Sequence, residues 1–372
     1  MMTTTRSDSA IRRTRRALIV LCSTMAMVSV SSAVVPASDE REGDDSRTGS
    51  VWVVNRDLGE LAVFDAETGR VLDTQGVGAG AHDVCISERA RKAYITAETI
   101  NTVTTVDTRT LPLTTGSIAV SPLPHHCESS RDGRTMYISL ASHTSTTGTP
   151  AYAAIDTDDH AVSYTPTSSN PAARAHGLYL SRWGHRIYVA HDTGDEVTGV
   201  DTDSGDIAFS VKPIVRAEEA IATLFGHRLW ASSRGDGTVK RIDLTSNTIT
   251  GSVPVGVQPE SVMLTPSERT LVVSLRGSPA ALAFVDTVHL TLIGTVEIAG
   301  AGTFGDLAVM TAGGRYVYAT FDAGTGGTGG VTVVDVQRRK VVDRWAYPGT
   351  GRPHGIVLSE RKPRSRAPGK PE

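Results

Sequence analysis

The sequence predicts an all-β protein, a seven-bladed β-propeller whose C-terminal strand completes the N-terminal blade. Three observations carry this. An aspartate ends an apolar, alternating run seven times, in "LAVFD", "VTTVD", "YAAID", "VTGVD", "VKRID", "LAFVD" and "VTVVD". A strand bearing an aromatic or bulky residue precedes each run, from "VWVVN" and "AYITA" through "MYISL", "IYVAH", "LWASS" and "LVVSL" to "VYATF". No segment shows sustained helical periodicity. Four-stranded units repeating every forty-odd residues stack as blades around an axis.

The aspartates are Asp65, Asp107, Asp156, Asp201, Asp243, Asp286 and Asp335, spaced by 42, 49, 45, 42, 43 and 49 residues. Turn residues follow each one, as in "AETGR" or "TDSGD", then another short β-rich run. That pattern predicts a hairpin in which the carboxylate folds back onto its own turn amides, not an array of metal ligands. Upstream of each aromatic strand comes a polar turn such as "SRDGRT" or "SRWGHR", and before it an innermost strand. The first unit begins at "GSVWVVNRD", on its second strand, whereas "RPHGIVLS" at 352–359 has the innermost pattern and no unit of its own. The last strand is therefore expected to close the first blade, which removes the open edge of the ring.

Outside residues 50–359 the expectations differ. "RRTRRALIV", the apolar "ALIVLCSTMAMVSV" and the small residues ending at Ala33 read as an export signal over 1–33. The apolar run is shorter than the roughly 20 residues that span a bilayer, so no stable membrane insertion is expected after cleavage. Arg15 and Arg16, followed by Leu18 and Ile19, fit a twin-arginine address as well as a general secretory one. Residues 34–49 read as a solvated linker and 360–372 as a disordered basic tail. With Cys22 inside the signal, Cys85 and Cys127 remain, either paired or as buried thiols. The composition, 39% hydrophobic and 21% charged with a net charge of -3, is globular and offers no basic footprint for nucleic acid.

The innermost strands line the channel. Aligned on the Ser or Thr that ends each one, they read "AHDVCIS", "PHHCESS", "AHGLYLS", "AEEAIAT", "PESVMLT", "GDLAVMT" and "PHGIVLS". The second column holds His82, His125, His176, Glu218, Glu260, Asp306 and His354, an ionisable side chain from every blade. Neutral imidazoles converging on an axis suit Zn or Cu, so His82, His125, His176, His354 and Asp306 are the candidate ligands of a divalent transition metal. Glu218, Glu260 and His354 are the candidate catalytic groups, with His125 an alternative base. The turn after the second strand opens at the same mouth and carries Arg56, Glu98, Ala141, Asp192, Arg234, Arg276 and Asp322, while Arg174, Arg216 and Arg352 lie just before the ring. The arginines Arg56, Arg174, Arg216, Arg234, Arg276 and Arg352 are candidates for gripping a carboxylate or phosphate of a small-molecule substrate. His143 and His191 are placed in these loops as weaker candidates. His160, His185, His227 and His289 fall in turns of the opposite face.

"KAYITAETINTVTTVDTRT" resembles the signature of the YVTN-repeat propellers, over residues 50 to 359. That resemblance implies the fold and is nearly silent on activity, because the architecture hosts many chemistries. The ring is also similar in residue type and position to the streptogramin-lyase propellers, which implies His and Glu working with a divalent cation, and to the haem-handling propellers of nitrite metabolism, which implies axial histidines. No C-x-x-C-H haem attachment motif and no G-x-S-x-G elbow is present. Two function classes follow. One is an exported metal-dependent enzyme carrying out oxidation, lyase or lactone-hydrolysis chemistry. The other is a non-catalytic propeller binding a metal, a cofactor or a protein partner, the last disfavoured by only 5% aromatic residues.

Overall fold

The structure is a computed structural model, and it describes residues 47–142, 150–324 and 326–365. Seven four-stranded antiparallel sheets follow one another along the chain. In six of them the strands run in sequence order from the innermost outward. In the first, Pro353–Ser359 lies inside Ser50–Asn55, with Ser50 opposite Ser359, Trp52 opposite Val357 and Asn55 opposite Pro353. The ring is thus closed by the last strand pairing with the first.

Seven apolar clusters hold the blades together, one for each blade–blade interface. Because every blade is covered on both faces, second strands such as Ser50–Asn55 are buried along their whole length. Outer strands such as Val71–Gly76 face solvent and are largely exposed. At the seam, Phe64, Trp345, Tyr347 and Tyr318 stack between the first and last blades, with Phe64 and Trp345 centroids 5.8 Å apart.

The aspartates that end the third strands do what their turns require. Asp65 Oδ1 accepts the amides of Glu67 and Thr68, each at 3.1 Å, and Asp201 and Asp243 repeat the arrangement. Cys85 and Cys127 are joined in a disulfide between the innermost strands of blades 2 and 3, which settles the pairing that the sequence left open. A cross-link closing a loop of this size removes chain entropy from the unfolded state, worth about 2–4 kcal/mol.

The export signal, nearly all of the linker, His143 and the end of the tail lie outside the described residues. Within 360–365 the chain stays in contact with the ring. Lys362 Nζ reaches Asp65 Oδ2 at 2.7 Å, and Arg364–Ser365 pair in parallel with Thr110–Leu111. Among the described residues no helix is long and apolar enough to cross a membrane.

Candidate metal centre at the channel mouth

A strand presents alternate side chains to opposite faces, so two consecutive residues should not both reach the channel. The innermost strands depart from regular alternation in all seven blades, and at 82–83, 125–126 and 218–219 both residues of the pair are ionisable. Each carries a bulge at its second and third aligned positions, where two residues oppose one on the second strand: 82–83 in blade 2, 125–126 in blade 3, 306–307 in blade 7. A bulge re-aims side chains and frees a backbone amide. A hydroxyl on the second strand takes that amide in four blades. Thr96 accepts from Asp83 N–H at 2.9 Å, Ser139 from His126 at 3.0 Å, Ser232 from Glu219 at 2.9 Å and Ser274 from Ser261 at 2.9 Å. Mouth and wall are therefore built by the same local device.

All seven residues of the second column are buried around the channel. His82 stacks between His125 and His354, with centroid separations of 3.8 and 4.0 Å, and His125 meets His176 at 4.5 Å. A fifth imidazole, His126, stands among them, 5.0 Å from His82, 4.6 Å from His125 and 4.8 Å from His176. Burial, then mutual repulsion, holds His82 and His125 neutral well below the usual histidine range. His354 is likewise lowered, by burial and then by the Arg276 charge. Burial also pushes His126 down, but the Asp83 carboxylate, 3.2 Å from His126 Nδ1, overcomes it and leaves it raised. Asp83 Oδ2 accepts the Cys127 amide as well, at 3.1 Å, which fixes both strands.

The other half of the ring is acidic and already paired. His176 Nδ1–H donates to the Glu218 carbonyl at 3.0 Å, while its Nε2 lies 2.9 Å from Glu218 Oε2. Arg234 donates to Glu218 at 2.9 Å and lies 3.4 Å from Glu260. Arg276 sits between Glu260 and Asp306 at 3.9 and 3.5 Å. Asp306 Oδ1 is 3.3 Å from His354 Nε2. Burial alone would raise Glu218, yet His176 and Arg234 bring it down to about 2. Burial likewise opposes protonation of His176, but Glu218 pushes it up to about 9. Asp306 goes up to about 7 on burial despite Arg276, and Glu260 is raised by burial and by Glu218.

This pair has a pH signature. His176 titrates at about 9 against an ordinary 6.5, so its stabilisation is complete below pH 6.5 and is lost as pH rises through 9. Glu218, at about 2 against 4.5, stabilises above pH 4.5 and loses that contribution as pH falls through 2. Unfolding in urea is expected to show stability declining between pH 6.5 and 9, and His176→Gln to flatten that decline. An unchanged slope in the variant counts against the ion pair.

The candidate arginines separate into two groups. Arg234 and Arg276 reach into the ring. Arg56 pairs with Glu98 at 2.7 Å, and Glu98 in turn contacts His125 Nδ1. Arg174 is bound to Asp192 through Nε at 2.9 Å, and Arg352 to Asp57 at 2.7 Å. Arg216 extends into solvent, 3.9 Å from Glu218. His191 is not a loop residue: it ends the second strand of blade 4, fully buried, with Nε2 3.1 Å from Thr198 Oγ1.

The column pattern placed Glu98 at the mouth without a role and did not single out His126, Asp83 or Glu219. The signal was present as doublets of ionisable residues, "HD", "HH" and "EE" at 82–83, 125–126 and 218–219, which simple alternation cannot satisfy.

Among the described residues three side-chain groups bring donor atoms within 4.8 Å of one another: His82, His125 and His126; His176, Glu218 and Glu260; and Asp83 with Cys85 and Cys127, whose sulfurs are taken up by the disulfide. The first fits a transition metal. His82 Nδ1, His125 Nε2 and His126 Nε2 are buried without a hydrogen-bond partner among the described residues, and neutral imidazole nitrogen is a good donor for Zn or Cu. In the second, an imidazolium and Arg234 already neutralise Glu218.

No protein-family model and no curated protein matches the chain. Solved structures do. A protein of unknown function from Desulfotomaculum acetoxidans superposes with a TM-score of 0.68 at 13% identity, over 85% of this chain and 100% of its own. The Pseudomonas aeruginosa periplasmic gluconolactonase PpgL gives 0.63 at 15%, over 83% and 99%. The dihydro-haem d1 dehydrogenase NirN gives 0.58 at 14%, over 88% and 78%. At these identities the likeness is one of fold, and the chain shares with all three the β-propeller architecture.

Proposed function

We propose that the histidine-bearing mouth is a transition-metal centre acting on a small molecule, in an exported propeller of the YVTN-repeat type. The reading rests on three buried imidazoles, His82, His125 and His126, each with an unpartnered ring nitrogen and donor atoms within 4.8 Å. The gluconolactonase among the structural neighbours favours opening of a lactone over oxidation or lyase chemistry. A bound zinc or copper ion would supply Lewis acidity toward the carbonyl or the attacking water.

The chain's own groups supply the rest. Opening a lactone adds water to the carbonyl carbon, breaks the ring C–O bond and delivers a proton to the departing alkoxide oxygen. Asp306, near 7, exchanges a proton at neutral pH, and Glu260 beside it is raised in the same direction. Arg234 and Arg276 present N–H groups toward an oxyanion. Glu218 stays ionised and orients His176. His354, neutral and next to Asp306, is its proton partner.

Elemental analysis of the full chain, purified without chelator, is expected to find about one zinc or copper that His82→Ala/His125→Ala loses. A six-membered sugar lactone should then be hydrolysed by the metal-loaded protein and not by Glu260→Gln/Asp306→Asn. Folded wild type that takes up no cation on reconstitution would overturn the metal centre. Bound metal without lactone opening would overturn the reaction and leave a binding module.

A further inference from the structure

The channel has a second end. There the innermost strands of blades 3 to 6 finish around a cavity of about 430 Å³, within the range that holds a small organic molecule. Tyr179, Ile221 and Leu264 give it apolar walls, and Glu128 contributes a carboxyl group with no hydrogen-bond partner among the described residues. Glu268, also in the wall, is engaged by the Leu224 amide.

The rim is cationic. Arg131 and Arg182 are exposed and make no ion pair among the described residues. Their guanidinium carbons lie 6.0 and 5.4 Å from the ring centroid of Trp183. Trp183 is 64% exposed on the hairpin tip of blade 4, and Phe225, at the equivalent tip of blade 5, is 69% exposed. These tips set exposed aromatic rings beside the cavity mouth. Two guanidiniums held on an aromatic face without a carboxylate favour an anion.

We infer that this mouth is a second ligand site, taking a small organic acid whose carboxylate meets Arg131 and Arg182 and whose apolar body enters the cavity. The site is independent of the metal centre at the other end. Any hydroxyl on that body would find the Glu128 carboxyl as partner.

Ligand-observed NMR and calorimetry on the full chain would use phenylacetate, with phenylethylamine as the cationic match and benzyl alcohol as the neutral one. Phenylacetate is expected to bind and to perturb Trp183 fluorescence, a change absent in Trp183→Phe. Arg131→Ala/Arg182→Ala should weaken it at least tenfold with an unchanged melting temperature, while His82→Ala/His125→Ala leaves it intact. Equal binding of acid and amine, or undiminished binding by the arginine variant, would overturn the inference.

Discussion

Ending the chain at Gly351 is expected to abolish the folded ring. The lost strand, Pro353–Ser359, supplies the inner partner of Ser50–Asn55, seats Ile356 in the cluster between the first and last blades with Leu358 packed against it, and packs Val357 against the cluster between blades 1 and 2. Burying Ile356 and half-burying Val357 and Leu358 contributes about 3–6 kcal/mol. A domain's whole net stability is only about 5–15 kcal/mol. The truncated chain also bares the edge of Ser50–Asn55, which invites pairing with other copies. Thermal unfolding should lose its cooperative transition, and size-exclusion should show aggregates. A chain ending at Ser365 keeps the strand and its Lys362 contact, and should melt as wild type does. A cooperative melt within a few degrees of wild type for the shorter chain would contradict closure by this strand.

Glu218→Ala is expected to cost about 3 kcal/mol, toward the low end of what removing one partner of a buried ion pair does. The carboxylate is fully buried between His176 and Arg234. Without it Arg234 retains Glu260, at 3.4 Å, and His176 can shed its proton, which limits the loss. The same substitution should bring the His176 pKa down from about 9 toward the ordinary histidine value, visible in the imidazole proton shifts. Glu218→Gln keeps the volume and should behave alike in titration. A His176 that still titrates near 9 in both variants would show that another group holds its charge.

Much of this was legible in the residues, and the reasons differ by element. The third-strand aspartates were readable because an Asx turn needs only its own next few residues. Closure was readable because "GSVWVVNRD" starts one strand late and "RPHGIVLS" ends one strand over. The ring column emerged because Ser/Thr and aromatic markers set the register without reference to histidine. His126 and Asp83 escaped because strand alternation assigns them to a blade face, and the bulge that turns them inward shows itself only once pairing is known. The fate of the arginines was equally hidden. Arg56 and Glu98 sit one repeat apart, at equivalent positions of adjacent blades, yet the column does not say which of its charged members pair, and Arg352 meets Asp57 across 295 residues. The cysteines gave both readings equal standing until their strands were set side by side.

The seam bears on the order of events during synthesis. Blade 1 joins residues 50–76 to a strand that ends at 359, so it cannot finish until residue 359 has left the ribosome. Six blades can fold one after another as they emerge, while the first waits with an unpaired edge at its core. A chaperone or a membrane channel acting on the growing chain would meet a ring held open for that whole interval. His82, His125 and His126 of blades 2 and 3 are made early, but His354 arrives with the closing strand, so the seven-residue ring around the channel is completed in the same step that shuts the propeller.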